Sequence, residues 1–205
     1  MNIARILYPV KVLGPGDRIG IWVSGCPQRC HGCINPELWD QYPEFEISID
    51  RIWEVISGIV SEHNVDGFTI SGGEPLAQAA ELDELIAYLV TVSEDIIVYS
   101  GYIYDEIKEQ GSENIRKILD SIAVLIDGQY VEELNNDIVL RGSENQNIII
   151  LNSRFKARYE NYLVTAHNQI QNFATSDGIV PVGIHSKGFR DKIASQIIRG
   201  GTENG

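Results

Sequence analysis

The sequence has few basic residues for its length. Its 205 residues include 16 lysines and arginines against 29 aspartates and glutamates, which gives a formal net charge of −13. An acidic surface of this size repels nucleic acid and anionic membranes, so the charge argues against both as partners. The densest basic stretch, which contains Arg141, Arg154, Lys156 and Arg158, is more typical of a solvated face than of a binding patch.

Long apolar runs are also missing. No stretch approaches the ~20 apolar residues of a membrane-spanning helix, and residues 1–10 lack the apolar core of a signal peptide. Low-complexity tracts and internal repeats are absent. We therefore expect a single domain over residues 1–199, with a core at 16–150 and a C-terminal extension at 151–199, followed by a disordered tail at 200–205.

Cysteine is scarce and concentrated in one place. The three cysteines of the chain, Cys26, Cys30 and Cys33, all lie within residues 26–33. They leave no disulfide framework if they share a metal centre, so we expect a reducing, cytoplasmic location. Their spacing lets three thiolates converge on one centre, and thiolates select iron–sulfur clusters or zinc. Three thiolates would leave one iron of a cubane cluster open to a substrate.

A structural zinc site is the alternative interpretation. Such a site needs four closed ligands, usually from paired short spacings, and the chain has no second cysteine pair. His31 is a candidate fourth ligand, but it lies between Cys30 and Cys33, where the loop would have to fold back on itself. The spacing therefore favours an iron–sulfur cluster over zinc.

Hydrophobic periodicity predicts an α/β fold. Helical patterns, the first of them capped by Ser48, separate the middle members of a series of strand-like runs. These runs lie at 3–12, 18–24, 65–70, 96–99, 123–126 and 148–151. Such alternation predicts parallel strands with right-handed crossovers. Beyond residue 152 the pattern predicts only a strand at 179–184 and a short helix at 189–198.

The strand ends carry small or polar residues. Gly25, Ser71, Ser100 and Asp127 each stand where a predicted strand ends. Because functional loops follow the carboxyl ends of parallel strands, we expect these four residues to line one mouth of a barrel or sheet.

Several motifs occur in the order typical of one enzyme superfamily. The cysteine motif runs from Gly25-Cys26-Pro27 to Cys33-Ile34-Asn35-Pro36, with Trp39-Asp40 just after it. It is followed by Ser71-Gly72-Gly73-Glu74-Pro75-Leu76, Tyr99-Ser100-Gly101-Tyr102, Leu125-Ile126-Asp127-Gly128 and Arg141-Gly142-Ser143-Glu144-Asn145-Gln146. Over residues 16–150 the chain resembles the radical S-adenosylmethionine (SAM) superfamily. More narrowly, it resembles the activating enzymes of anaerobic ribonucleotide reductase and related glycyl radical enzymes.

Two positions depart from common patterns of the superfamily. Most members have an aromatic residue directly before the third cysteine, and this chain has Gly32, a glycine that the reductase activases share. The aromatic residue that those activases often carry after the cysteine is Ile34 here. The region beyond residue 150 is also longer than in the shortest activases.

The resemblance implies a short radical SAM-type fold, a partial parallel (β/α) barrel. Cys26, Cys30 and Cys33 would hold a [4Fe-4S] cluster, and SAM would bind beside it. The implied SAM-binding residues are Gly32, Cys33, Ile34, Ser71, Gly72, Gly73, Glu74, Ser100, Asp127 and Arg141.

Three of the implied residues would have distinct roles. The segment containing Glu74 would contact the methionyl amino group of SAM, for which a carboxylate is a suitable partner. Asp127 would accept from ribose hydroxyls, with a turn or helix-capping role as the alternative. Arg141 would pair with the SAM carboxylate or with Glu74, and its alternative is a surface ion pair. His167 and His185 are lone histidines, more typical of surface or packing positions than of ligands.

The implied reaction is reductive cleavage of SAM to a 5′-deoxyadenosyl radical, which takes hydrogen from a glycine of a partner glycyl radical enzyme. A small protein such as a flavodoxin would donate the electron. With three cysteines used by one cluster, a second cysteine-ligated cluster is excluded. Two alternatives stay open. The first is a small radical SAM enzyme that acts on a free metabolite or peptide under a lid from residues 151–205. The second is a non-enzymatic iron–sulfur or zinc protein.

Overall fold

The structure is a computed structural model that describes residues 1–176, 178–190 and 192. The strands are β1 (Ile3–Val10), β2 (Arg18–Val23), β3 (Gly67–Gly72), β4 (Ile96–Tyr99), β5 (Val124–Asp127), β6 (Asn147–Ile150), β7 (Gln171–Thr175) and β8 (Gly178–Val182). The α-helices are α1 (Ile49–Glu62), α2 (Ala79–Leu89), α3 (Tyr104–Gln110), α4 (Glu113–Ser121) and α5 (Lys156–Thr165). No helix among the described residues has the length and apolar character needed to cross a membrane.

Most of the helix predicted at 189–198, and all of the tail predicted at 200–205, lie outside the described residues. The predicted strand at 179–184 corresponds to β8. Helix α5 was not predicted, because its sequence has no clear apolar stripe.

Six strands form one sheet in the order β1-β2-β3-β4-β5-β6. Strands β2 to β5 are parallel neighbours, with α1, α2 and the pair α3–α4 between successive strands. Strands β1 and β6 run antiparallel at the two edges. A mixed α/β fold with a mostly parallel sheet is thus confirmed. Within the described ranges no ladder joins β1 to β6, so the partial barrel stays a prediction.

Helices α1 to α4 cover one face of this sheet. The Ser48 hydroxyl accepts from the Arg51 amide, as the predicted cap requires, and α1 buries Ile52 and Ile56. These side chains join a core cluster with the alternate strand residues of β2, β3, β4 and β5, among them Ile19, Ile21, Val23, Phe68, Ile70, Ile96, Val98 and Leu125. The period of two in the strands therefore places one set of side chains under the helices.

The other face of the sheet is covered by the C-terminal part of the chain. Tyr159 of α5 is fully buried against Ile97 and Ile126, and Val182 of β8 packs with Trp22. This second face also borders the cavity that contains the cysteines.

A buried ion pair lies at the amino ends of the parallel strands. Arg18, which begins β2, is 0% exposed, and its Nη2 lies 3.1 Å from Asp95 Oδ1. The same nitrogen donates to the Phe68 carbonyl at 2.6 Å, and the Tyr159 hydroxyl donates to Asp95. The network thus fastens α5 to the sheet at the end opposite the cysteine loop.

Candidate metal and cofactor site

The cysteine loop follows β2 and is closed at its base by backbone hydrogen bonds. Gly25 N donates to Leu38 O at 2.9 Å, and Cys26 N donates to Trp39 O at 2.8 Å. Gly25 has a φ of 99°, in the region that favours glycine. The two ends of the loop therefore meet at the carboxyl end of β2, and the three cysteines lie between them.

Cys26, Cys30 and Cys33 line one cavity, and each is partly exposed. Cys33 N donates to Cys30 O at 3.2 Å, so these two cysteines flank a tight turn. Burial raises the pKa of both the Cys30 and the Cys33 thiol. At Cys33 the Asn35 amide and the Trp39 indole N–H oppose this rise. Metal coordination deprotonates a thiol outright, so the raised pKa values do not prevent these cysteines from binding a metal. Three thiols in one cavity are a donor set that fits an iron–sulfur cluster.

Gly32 is constrained by both backbone and space. Its φ is 72°, and an added Cβ would lie 2.8 Å from Glu132 Cδ. The neighbouring His31 side chain is 88% exposed, with Nδ1 at 3.3 Å from Glu132 Oε2. His31 is not among the residues that line the cysteine cavity.

The zinc alternative needs a fourth ligand beside the three cysteines. The predicted candidate for a fourth ligand, His31, faces Glu132 instead.

The Ser71–Pro75 segment is joined directly to the cysteine loop. Gly73 N donates to Val23 O at 2.8 Å, and Glu74 N donates to Gly25 O at 2.8 Å. An added Cβ on Gly73 would lie 2.3 Å from the Gly25 carbonyl oxygen. Glycine is therefore required at residue 73 because the backbone of the cysteine loop lies against it.

Glu74 is a buried carboxylate that faces the cavity. Its side chain accepts from Leu76 N at 2.9 Å and from the Ser100 hydroxyl at 3.0 Å through Oε1, and from Gly101 N at 2.6 Å through Oε2. Burial raises its pKa to about 7, although these three hydrogen bonds oppose the rise. Both protonation states are therefore populated near neutral pH.

The cavity brings most of the predicted cofactor-binding residues together. Besides the three cysteines, the lining includes Gly32, Ile34, Ser71, Gly72, Gly73, Glu74 and Ser100. Register explains this convergence, because Val23 pairs with Gly72 and Tyr99 pairs with Ile126, so the carboxyl ends of the parallel strands stay level. Asp127 and Arg141 do not line the cavity.

Asp127 has structural partners for both carboxylate oxygens. Its Oδ2 accepts from Tyr104 N at 2.7 Å, at the start of α3, and its Oδ1 accepts from Asn147 N at 3.1 Å. The side chain is 1% exposed. This placement corresponds to the capping role that the sequence left open, and it does not support the predicted ribose contact.

Arg141 braces its own turn. Its Nη1 donates to the carbonyls of Gln146 at 2.6 Å and Glu144 at 3.4 Å. Among the described residues it pairs with no carboxylate, so the structure shows neither the pair with Glu74 nor the alternative surface ion pair. Its guanidinium holds the 141–146 turn instead.

Several cavity residues were missed by sequence reasoning. Trp39, Tyr130, Gln146, His185 and residues 180–184 also line the cavity. Trp39 and Gln146 stood in recognised motifs without a role. The Trp39 Nε1 atom is buried, and its N–H lowers the pKa of the Cys33 thiol. His185 was predicted only as a surface or packing residue, and its ring does pack on Phe189. Tyr130 gave no sequence signal, because its position depends on folding of distant segments.

Fold and site together define an α/β protein with a three-cysteine metal-binding loop at the carboxyl end of a parallel sheet. Residues 12–149 match the family described as the 4Fe-4S single cluster domain, and the chain belongs to that family. This assignment supports an iron–sulfur cluster as its metal centre.

The chain is also similar to named proteins that form a narrower group than the family. The chain is 31% identical over 153 residues to the anaerobic ribonucleoside-triphosphate reductase-activating protein of Enterobacteria phage T4, covering 72% of this chain and 93% of that protein. Proteins of the same name from Haemophilus influenzae and Escherichia coli K12 are 33% and 30% identical over 148 and 149 residues, covering 68% of this chain and 92% of each relative. The predicted membership of the activating-enzyme group is confirmed. The family match ends at residue 149, before α5 and the β7–β8 hairpin.

Proposed function

We propose that the chain is a radical SAM enzyme that activates an anaerobic ribonucleotide reductase by taking a hydrogen atom from a glycine of that reductase. The observation that carries the proposal is the single cavity in which three cysteines meet the Ser71–Glu74 segment and Ser100. The names of the curated relatives support the choice of reductase as partner.

Cys26, Cys30 and Cys33 would hold the [4Fe-4S] cluster. When bound, the cluster would supply the electron that splits SAM into methionine and a 5′-deoxyadenosyl radical, which becomes 5′-deoxyadenosine by taking hydrogen from the glycine. The chain's own contribution is positional. The closed base of the loop fixes the backbone at Cys26, and the bond from Glu74 N to Gly25 O keeps the Ser71–Pro75 segment beside the thiols.

Glu74 is the residue that we assign to the amino group of SAM. Its carboxylate is held by three donors, and when ionised it would attract an ammonium in a site screened from water. We expect Glu74→Ala to weaken SAM binding about tenfold or more while the protein keeps its iron. Equilibrium dialysis with labelled SAM measures this, and Glu62→Gln, at the exposed end of α1, is the matched control. Unchanged SAM affinity in Glu74→Ala would mean that the Ser71–Pro75 segment is only a turn.

The electron would come from a small donor protein such as a flavodoxin, and the reaction would take place in the cytoplasm. The decisive experiment is anaerobic reconstitution with iron, sulfide and SAM, a chemical reductant, and the reductase encoded nearest to this chain. Formation of 5′-deoxyadenosine together with a glycyl doublet on the reductase, seen by electron paramagnetic resonance, supports the proposal. SAM cleavage without a doublet on any candidate reductase contradicts it.

A second candidate is a small radical SAM enzyme that acts on a free metabolite or peptide. The observation in its favour is the wall that residues 180–185 add to the cavity, since a small substrate needs a more enclosed site. Deuterium distinguishes the two functions. Transfer from a labelled small molecule or peptide into 5′-deoxyadenosine favours this second candidate, whereas transfer from a reductase labelled at glycine favours the first.

A further inference from the structure

The β7–β8 hairpin and the residues after it form one wall of the cysteine cavity. Residues 180–185 line the cavity, and they lie beyond the family match, which ends at residue 149. Val182 is 3% exposed and packs with Trp22. Gln171 Nε2 donates to Pro9 O at 2.7 Å. The wall is therefore attached to the main sheet by packing and hydrogen bonding.

His185 ends this wall with an imidazole whose hydrogen-bonding capacity is largely unused. Both ring nitrogens are buried and make no hydrogen bond of ordinary geometry among the described residues, and the Gly183 backbone acts on the ring as a weak acceptor. The ring packs on Phe189, with 4.3 Å between centroids, and Asn135 Nδ2 donates to the His185 carbonyl at 2.8 Å. Burial lowers the pKa of His185 to about 4, although the Gly183 backbone opposes the fall. The ring is therefore neutral near pH 7 and has one donor and one acceptor.

Buried polar atoms without partners are uncommon and carry a free-energy cost. A molecule bound in the cavity would remove that cost at His185 if it offered one acceptor and one donor. A peptide backbone has this combination in every residue, in its C=O and N–H groups.

A second groove leads from the outside to this wall. It runs between β1 and the hairpin, and it shares Arg5, Ile34, Asn35, Val180 and Pro181 with the cysteine cavity. Strand β1 pairs only with β2 and β8 only with β7 in the described part of the chain, so each has an unpaired edge. Extended peptides bind such edges through backbone hydrogen bonds. The groove thus provides a continuous path for an extended chain toward the cysteines.

We propose that β8 and His185 bind the extended, glycine-bearing segment of the reductase, and that the His185 imidazole hydrogen-bonds to the backbone of that segment. The inference rests on the proposed function. It assigns a substrate-binding role to the part of this chain that lies beyond the family match, and it makes the groove between β1 and the hairpin the path along which the segment reaches the cavity.

The test uses the full chain, reconstituted with its cluster under anaerobic conditions, and measures three quantities for each variant: iron content, SAM affinity and affinity for the intact reductase. His185→Phe removes both polar atoms and keeps an aromatic ring against Phe189. We expect it to weaken reductase binding about tenfold, the usual effect of one lost hydrogen-bonding group, with iron content and SAM affinity unchanged. His167→Phe, on an exposed residue outside the cavity, should change none of the three.

His185→Gln keeps a donor and an acceptor, and we expect it to recover part of the lost affinity. If His185→Phe loses iron or unfolds, Ile179→Glu decides the question. Ile179 is 72% exposed and lines the groove but not the cysteine cavity, so a charge there should weaken reductase binding alone. Reductase affinity unchanged in these variants overturns the inference, as does an equal fall in SAM affinity. Absence of a glycyl doublet with the unaltered chain is a different result, which contradicts the proposed function itself.

Discussion

The Ser100 hydroxyl donates to Glu74 Oε1 at 3.0 Å and accepts from Tyr102 N at 3.1 Å. This pair of bonds joins the end of β4 to the loop after β3 and leaves the Glu74 carboxylate with a fixed position in the cavity wall. A carboxylate that is held in place while its protonation changes near neutral pH has consequences for both stability and binding.

The first prediction concerns stability and pH. Burial raises the pKa of Glu74 from 4.5 to about 7 in the folded chain. The folded state therefore holds this proton more tightly than the unfolded state does. Its contribution to stability is complete below about pH 4.5 and is lost as pH rises through about 7, a change on the order of 3 kcal/mol.

Urea unfolding of the wild type and of Glu74→Gln measures this change. As pH rises from about 5 to about 8, the unfolding free energy of the wild type should fall relative to that of Glu74→Gln, because glutamine does not titrate. A difference that stays constant over this range would show that burial does not raise the pKa of Glu74.

The second prediction concerns the metal ligands. Replacing Cys26, Cys30 or Cys33 singly with Ala should abolish iron binding and the visible absorption of the reconstituted protein, because the chain has three cysteines in all and each supplies one thiolate. His31→Ala is the matched control within the same loop, since His31 faces Glu132. Full iron content in any of the three cysteine variants would disprove the three-thiolate assignment. Loss of iron in His31→Ala would indicate that His31 is a fourth ligand of the metal.

The third prediction concerns Gly73. Its added Cβ would lie 2.3 Å from the Gly25 carbonyl oxygen and 3.0 Å from that of Leu38. Gly73→Ala should therefore push the Ser71–Pro75 segment away from the base of the cysteine loop and reduce both SAM affinity and retention of iron. Gly58→Ala, in α1 with nothing within 4 Å of the new Cβ, should leave both unchanged and stabilise the helix by up to about 1 kcal/mol. Normal iron content with weakened SAM binding in Gly73→Ala would show that the loop tolerates the contact.

The fourth prediction concerns the buried ion pair. Asp95→Asn leaves the fully buried Arg18 guanidinium without its counter-charge, and we expect a loss of about 3–5 kcal/mol in unfolding free energy. Arg154→Ala breaks an exposed pair with Glu94 and should cost less than about 1 kcal/mol. Urea denaturation of the two variants at one pH is the measurement. Similar costs for the two changes would show that the network between the sheet and α5 contributes little.

Local signals in the sequence predicted much of the fold. The strands and helices from residue 18 to 127 follow from period-two and helical patterns and from the Ser48 cap, which all act over a few residues. The antiparallel directions of β1 and β6 and the position of the β7–β8 hairpin were not predicted, because they depend on contacts between segments that are distant in the chain. The Tyr159–Asp95 contact, for example, spans 64 residues.

The candidate site divides in the same way. Cys26, Cys30, Cys33 and the Ser71–Glu74 segment could be predicted, since short motifs and level strand ends bring them to one place. The role of Asp127 could not be predicted, because a strand-end aspartate can cap a helix or face a ligand. The arrival of Tyr104 N within 2.7 Å of its carboxylate favours the cap. His185 lies in the cavity through the packing of a hairpin that no local pattern connects with the cysteines.

The base of the cysteine loop affects what happens to the fold when oxygen destroys a bound cluster. Its ends are joined by Gly25–Leu38 and Cys26–Trp39 backbone bonds that involve no thiol. Destruction of a bound cluster would therefore free the three sulfur atoms without releasing the ends of the loop or the strand before it. We expect the damaged protein to remain a folded template, on which a new cluster can be assembled repeatedly without the chain having to unfold and fold again.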